Sequence, residues 1–419
     1  MNKTHLIGAL GAPFLLLLTT SVLANNAPSK PVIEINQETQ TNDLVGVPFV
    51  FASEEMSFTM GAALIAKEVG QKQASAIAIA MYSSNDSYAA YTAFNHYQLP
   101  KLNNWLFSAE YYAGHFTRGR YYVDGAPGFH NEIAGTNESS FENRIQTVGD
   151  ERMFRVKSEY VLAIGDGANG AIASLYQQKH AALGWNPLKN GVTSLGINLY
   201  GESQHLKAYA NPFYQDKTLA AEIELSWDNR DSKSHTTRGG KTHFRVTRDF
   251  GSSERNQWTK WEWQQSLFVP LGGNGFAEQQ VLAFNAYLAD TPTWNSGGVP
   301  PSFAGVRLGG FERLRGFSSN RYHGRSAINY AMEYRVLPEW QPLGNWPIFN
   351  LYDFAWWQWV AFAEVGRVAN EFDLGTLHKN MQWTLGAGAR FKVEGVVVRA
   401  EFAQSKEDNQ FWIMINQPY

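Results

Sequence analysis

Cysteine is absent from the 419 residues. That excludes disulfides, thiolate catalysis and cysteine metal sites. Charge is scarce: Asp, Glu, Lys and Arg make up 17% of the chain, low for a soluble domain. The net charge of −3 gives no basis for binding nucleic acid or an acidic substrate. Long apolar runs are missing too. Past the first two dozen residues no stretch of about 18 apolar residues occurs, which excludes helical membrane spans. The ten histidines are scattered, without the spacing of a His-Glu-x-x-His metal site. No Gly-x-Ser-x-Gly elbow is present, and no Ser-His-Asp set is legible. The expectation is a protein with no catalytic residues, metal or cofactor.

What is present is aromatic and glycine-rich: 14% aromatics, and 37 glycines against 16 prolines. Residues 1–24 read as a secretory signal, with Lys3, an apolar run from Leu6 to Leu18 broken by Pro13, and the small-x-small site Val22-Leu23-Ala24. Residues 25–46, polar and holding Pro28 and Pro31, read as a flexible periplasmic leader. Residues 47–419 read as one folded unit. An exported, cysteine-free, aromatic-rich chain is either a secreted β protein or an outer-membrane β-barrel.

Alternation decides between them. In Ile328–Val336, Ile328, Tyr330, Met332, Tyr334 and Val336 share one face, and Asn329, Ala331, Glu333 and Arg335 the other. Thr218–Asp228 sets Leu219, Ala221, Ile223, Leu225 and Trp227 against a polar face, and Trp383–Phe391 sets Trp383, Leu385, Ala387, Ala389 and Phe391 against Thr384, Gly386, Gly388 and Arg390. Such segments have one apolar and one polar face. They run to about ten residues, longer than the five or six usual in sandwiches, and match transmembrane strands of about 9–11. Trp356, Trp357 and Trp359 suit an interfacial girdle. Segment centres fall near residues 61, 79, 92, 109, 157, 175, 198, 223, 245, 262, 284, 330, 361, 386, 399 and 414. The fold expected is all-β: an antiparallel transmembrane barrel of about sixteen strands. The polar excursions at 115–151, 204–217 and 289–324 are assigned to the cell exterior. Phe411, Ile413, Ile415 and Tyr419 share a parity in an aromatic final strand, the form of a recognition signal for outer-membrane assembly machinery.

One stretch does not fit a strand. Leu308–Phe317, Leu-Gly-Gly-Phe-Glu-Arg-Leu-Arg-Gly-Phe, is too interrupted to build a core. Its glycines permit positive φ and close approach to a wall, and its arginines can offer a planar fork to a carboxylate. It reads as a loop folded inward onto acidic residues.

Four motifs, in order, resemble the barrel of the BamA/TamA family, or bacterial surface antigen proteins. Arg315-Gly316-Phe317 is similar to the family's Val-Arg-Gly-Phe/Tyr loop motif, with Leu314 in place of valine. Asp228, Arg230 and Asp231, followed by Gly240, resemble its Asp-x-Arg-Asp…Gly turn. Phe362-Ala363-Glu364-Val365-Gly366 resembles its Phe-x-Asp-x-Gly strand, with glutamate for aspartate. Gly386-Ala387-Gly388-Ala389-Arg390 resembles the Gly-x-Gly-x-Arg strand that follows. The leader is too short for the family's POTRA domains. The resemblance implies a loop arginine tucked into the lumen against the strand acid. By parity Glu364, Glu333, Arg335, Arg390, Arg399 and Glu401 face inward, since a basic residue on the lipid face at mid-membrane costs about 2–4 kcal/mol. The expected pair is Arg315 with Glu364, with Glu333 as second partner. Asp228, Arg230 and Asp231 are expected to form a turn-end ion network.

The functional expectation is a non-enzymatic outer-membrane barrel that aids insertion or export of outer-membrane or surface components. Its contacts would be outer-membrane lipid and a client or periplasmic helper protein. A seam between Ser57–Lys67 and Gln410–Tyr419, weakened by the missing donor of Pro418, would open and template a client strand by β-augmentation. The alternatives are a channel for ions or small solutes, its preference set by lumen charge, and a structural surface protein.

Overall fold

The computed structural model describes residues 44–53, 56–176, 184–207, 209, 211, 214–253, 255–347, 349–415 and 417–419. The signal and most of the leader lie outside the described residues.

Sixteen strands form one antiparallel sheet, each paired with its sequence neighbour. They are β1 (Leu44–Ser53), β2 (Ser57–Lys67), β3 (Ser75–Ser83), β4 (Tyr88–Tyr97), β5 (Trp105–Tyr121), β6 (Ile145–Val161), β7 (Val192–Leu206), β8 (Lys217–Asp228), β9 (Gly239–Asp249), β10 (Trp258–Asn274), β11 (Ala277–Asp290), β14 (Ser326–Pro338), β15 (Phe354–Ala369), β16 (Gln382–Val393), β17 (Val396–Gln404) and β18 (Asn409–Ile415). Between β11 and β14, the long loop 291–325 carries a two-stranded hairpin, β12 (Val306–Leu308) and β13 (Tyr322–Gly324). The fold is a transmembrane β-barrel. Outward residues such as Leu64, Met332 and Trp359 are exposed to the membrane, while their sequence neighbours are buried toward the lumen.

Two differences from the sequence reading concern the register of the count. The segment near residue 175 is not a strand. Ala171–Tyr176 is a short helix, α1, and Ala171 and Leu175 pack with Leu106, Val161 and Val192 at the barrel's end. The missing strand is β1, within what reads as leader and its border. Both of its faces are apolar or small, with Val45, Val47, Phe49 and Phe51 inward against Leu44, Gly46, Pro48 and Val50, so its period of two is masked. Pro48 is tolerated because an edge strand needs its donors on one side only. The first strand is therefore β1, not Ser57–Lys67. Its partner edge is β18, which stops at Ile415. Phe49 and Phe51 of β1 share an apolar cluster with Val396 of β17 and Ile415 of β18, which brings the two ends of the sheet order together. Pro418 lies past the end of β18 and removes no strand donor.

The lumen has two kinds of wall. β1, β3 and β4 hold no charged residue, and β2 holds only Lys67 at its end. Their inner faces join one apolar cluster that includes Ile65, Ile77, Ile79, Met81 and Tyr91. From β5 onward the inner face is ionic.

Candidate functional site

The inward faces of β14–β18 align in rows. Register pairs Glu333 with Phe362, and Phe362 with Gly386. One row over, Arg335 pairs with Val360, Val360 with Gly388, Gly388 with Glu401, and Glu401 with Trp412. On the other side Ala331 pairs with Glu364 and Glu364 with Thr384. Paired residues share a face, so acids at alternate positions of three strands meet around one point. Gly386 and Gly388 leave the room: a Cβ on Gly386 would lie 2.2 Å from the Phe362 ring, and one on Gly388 would lie 2.8 Å from Cγ of Glu401.

The loop 291–325 enters this space. Positive φ at Gly309, Gly310 and Leu314 folds Leu308–Phe317 into a tight inward turn. It is held by Gly309 N–H to Arg313 O at 3.1 Å and Gly310 N–H to Phe317 O at 3.0 Å. Leu314 and Phe317 pack with Leu308, Tyr322 and Tyr287. That leaves Arg315 at the tip, with no solvent exposure. Its backbone N–H donates to Glu364 Oε2 at 2.6 Å and its Nε to Glu364 Oε1 at 3.0 Å. Its Nη1 lies 2.8 Å from both Glu401 Oε2 and Glu333 Oε1. The guanidinium stacks 3.5 Å from the Phe362 ring centroid, a cation–π arrangement. Trp412 of β18 donates Nε1–H to the Arg315 carbonyl at 2.5 Å. Gly316 donates to Thr384 Oγ1 at 3.2 Å, and a Cβ there would meet the Gln404 backbone at 2.7 Å.

Three further arginines complete the cluster. Arg390 reaches Glu401 at 2.6 Å and Glu333 at 2.8 Å. Arg399 pairs with Glu401 at 2.9 Å and donates to the Phe311 carbonyl at 2.9 Å. Arg335 lies 2.7 Å from Glu333. Four arginines thus share three buried glutamates. Parity puts these acids inward but cannot rank them, and Glu401 is as close to Arg315 as Glu333 is. Charge-assisted contacts in such surroundings are short and strong.

A second clasp, which sequence reasoning missed, lies nearer the loop base. Arg321 meets Glu407 of the β17–β18 loop at 2.7 Å through Nε and 2.9 Å through Nη2, and donates from Nη1 to Ser139 Oγ at 2.9 Å. Tyr322 also donates to Glu407. His323 accepts no part in that pair: its Nε2 sits 2.8 Å from the Tyr122 carbonyl, and its backbone N–H donates to the Gly135 carbonyl at 2.8 Å. Burial holds the His323 imidazole below its ordinary pKa, against the raising effect of the Tyr122 carbonyl. The only sequence signal was a second arginine six positions past Arg315. Loop residues have no parity to place them.

The other motifs fall elsewhere. Arg230 grips Asp228 bidentately at 2.7 and 2.9 Å, and Asp231 accepts from the backbone N–H of Thr237 at 2.9 Å and of Arg238 at 3.3 Å. Gly240 donates to Asn229 Oδ1 at 2.7 Å. These bonds close the β8–β9 turn, far along the chain from the arginine loop. Gly366 sits under Ile328 O and Leu308. In the last strand Phe411 faces outward, but Ile413 is buried. Tyr419 is not in line with them: beyond β18 the segment Gln417–Tyr419 turns into the lumen. There Gln417 donates to Ser234 O at 2.8 Å, and the Tyr419 ring lies 6.3 Å from Phe268 and 5.4 Å from the Arg335 guanidinium. Between this segment and the arginine loop lies a cavity of about 300 Å³, lined by residues including Arg155, Glu222, Arg245, Lys260, Glu262 and Arg313. Most of its charges are paired, as in Arg155–Glu222 at 2.8 Å and Arg245–Glu224 at 2.8 Å.

No family model matches the chain, and no curated protein matches it. Solved structures do. The crystal structure of BamA from Haemophilus ducreyi lacking POTRA domains 1-3 aligns with a TM-score of 0.50 at 10% identity, over 90% of this chain and 70% of that one. CdiB from Escherichia coli aligns with a TM-score of 0.54 at 13% identity, over 89% of this chain and 61% of its own. CdiB from Acinetobacter baumannii gives 0.51 at 11% identity, over 89% and 59%. This chain therefore spans less than two thirds of either CdiB. At these identities the likeness is one of fold: a β-barrel like those of BamA and CdiB.

Proposed function

We propose that this chain is an outer-membrane barrel of the assembly and translocation type, which helps insert or export outer-membrane or surface components by opening between β1 and β18. The observation that carries the reading is the arginine loop joined to the edge strand. Arg315, the loop tip, is bonded through its carbonyl to Trp412 of β18 and through its side chain to β14, β15 and β17. A loop that fills the lumen is poor design for a pore, and a loop that grips the edge strand is suited to controlling that edge. β18 is seven residues long against ten for β1, so few backbone bonds could join them, and an opened edge offers unpaired N–H and C=O groups to a client strand. A client and a periplasmic helper are the partners this reading requires.

Because the chain has no native cysteine, cysteine pairs placed along β1 and β18 give a clean test. Oxidation should abolish insertion of a client barrel into proteoliposomes, and reduction should restore it. Full activity with the edges locked would rule out the opening.

A solute channel is the second reading, supported by the charged cavity beneath the loop. Deleting Gly309–Asn320 separates the two. A channel conducts in planar bilayers with the loop present, whereas a gated barrel conducts steadily only when it is removed.

A further inference from the structure

The connection between β14 and β15 is unlike its neighbours at the same end of the barrel. β16 and β17 are joined by Glu394-Gly395 and β10 and β11 by Gly275-Phe276, whereas β14 and β15 are separated by residues 339–353. Between Glu339 and Asp353 the segment carries no charge, and it holds Trp340, Trp346 and Leu351. These three are 61%, 42% and 74% exposed.

The connection does not fold beneath the barrel. Trp357 and Trp359 lie on the outward parity of β15, and the Trp340 ring meets Trp357 edge-on at 5.8 Å. Trp346 extends the row at 6.4 Å from Trp340, and Trp359 extends it the other way at 5.0 Å from Trp357. The turn is also fixed in place. β14 pairs with β15 only as far as Val336–Trp359. Beyond that, Gln341 takes over as a strand neighbour: Trp357 N–H donates to its Oε1 at 2.9 Å, and its Nε2 donates to Trp357 O at 3.1 Å. Trp357 Nε1 donates to the Trp340 carbonyl at 2.8 Å. At the far end Asp353 N–H donates to Glu394 Oε1 at 3.0 Å.

We infer that the segment carrying Trp340, Trp346 and Leu351 forms a foot that lies in the headgroup region of the leaflet at the end opposite the loop 291–325, the periplasmic leaflet when that loop faces the cell exterior, and binds phospholipid there. The foot continues the membrane-facing wall without a break, through the Trp359–Trp357–Trp340–Trp346 row. Indole rings, apolar in body and with one N–H donor, favour that depth. The lack of charge between Glu339 and Asp353 assigns the binding to the apolar and interfacial part of the lipid rather than to anionic headgroups. Such a foot fixes the height and tilt of the barrel on the β14–β15 side.

The test uses the full chain with single cysteines, Trp346→Cys, Leu351→Cys and, as a control in the exposed β2–β3 turn, Lys72→Cys. Each is labelled with an environment-sensitive fluorophore and reconstituted in phosphatidylcholine vesicles, with retained heat-modifiable migration on gels showing that the variant is folded. The expected result is blue-shifted emission at 346 and 351, quenched roughly twofold more by a shallow nitroxide lipid than by a deep one, as headgroup-level residence requires. The control should emit as in water. Water-like emission at 346 and 351 in a folded barrel would overturn the inference. Neither outcome depends on whether β1 and β18 open.

Discussion

Replacing Arg315 by alanine removes the ion pair that Glu364 has among the described residues, while Glu333 keeps Arg335 and Arg390, and Glu401 keeps Arg390 and Arg399. The damage is therefore concentrated on one carboxylate with no solvent exposure of its side chain. Breaking a buried pair from one side costs about 3–5 kcal/mol, most of it the stranded charge. The opposite truncation, Glu364→Gln, is milder. Arg315 retains Glu333 and Glu401, and an amide can still accept from the Arg315 backbone N–H, so the loss is about 1–3 kcal/mol, that of a charge-assisted bond. The double variant Arg315→Ala/Glu364→Gln should then be more stable than Arg315→Ala alone, because no charge is left stranded. Urea unfolding in detergent micelles, followed by the shift in gel migration between folded and heated protein, measures all four corners of the cycle. Loop cleavage by added protease reports whether the tip has left the lumen. Equal costs for the two single variants, summing in the double, would refute the argument that Glu364 depends on Arg315.

Three further outcomes follow from the same geometry. Gly386→Val puts a side chain where the Phe362 ring lies, 2.2 Å from the Cβ position; it should cost about 1–3 kcal/mol by overpacking and raise protease access to Arg315 by pushing the ring off the guanidinium. Arg321→Ala should loosen the loop base without opening the tip: cleavage after Arg325 should rise while the cluster around Arg315 stays intact, and Glu407→Gln should reproduce it in part. His323 has a lowered folded pKa, so the unfolded loop binds the proton more readily. The stability it contributes is complete above about pH 6.5 and is lost as pH falls through the folded value. Proteolysis of residues 291–325 should therefore accelerate on acidification, and His323→Gln should flatten that dependence.

How much of this could be read from the sequence differs by element. Strands with one apolar and one polar face, such as Ile328–Val336, declare themselves, and so do the inward positions of Glu333, Glu364 and Glu401. β1 does not, because an edge strand apolar on both faces has no alternation to display. α1 reads equally well as a strand because its six residues, Ala-Ile-Ala-Ser-Leu-Tyr, are too few to separate the two periods. The Arg321–Glu407 clasp and the inward turn of Gln417–Tyr419 join segments distant in sequence and have no periodicity, so nothing local announces them. Parity assigns a face. It does not say which charges on that face meet, since this depends on register across several strands at once.

The wall of β1–β4, charged only at Lys67 where β2 ends, has a consequence for the order in which the chain enters a bilayer. Two hairpins that are apolar on both sides can rest in hydrocarbon before any later strand arrives. The first buried carboxylate after them, Glu110, finds its cations on the very next strand, in Lys157 and Arg155. Glu333 and Glu401 have arginines on their own strands and on β16, in Arg335, Arg399 and Arg390, but the ion pair of Glu364 on β15 comes from Arg315, on a loop that enters only once the wall around it exists. Assembly that advances from the β1 end meets hydrocarbon-compatible surface first and its costliest charges last, when their partners are already at hand. The chain is in this sense directional: soluble in lipid at its start, and closed by ions at its finish.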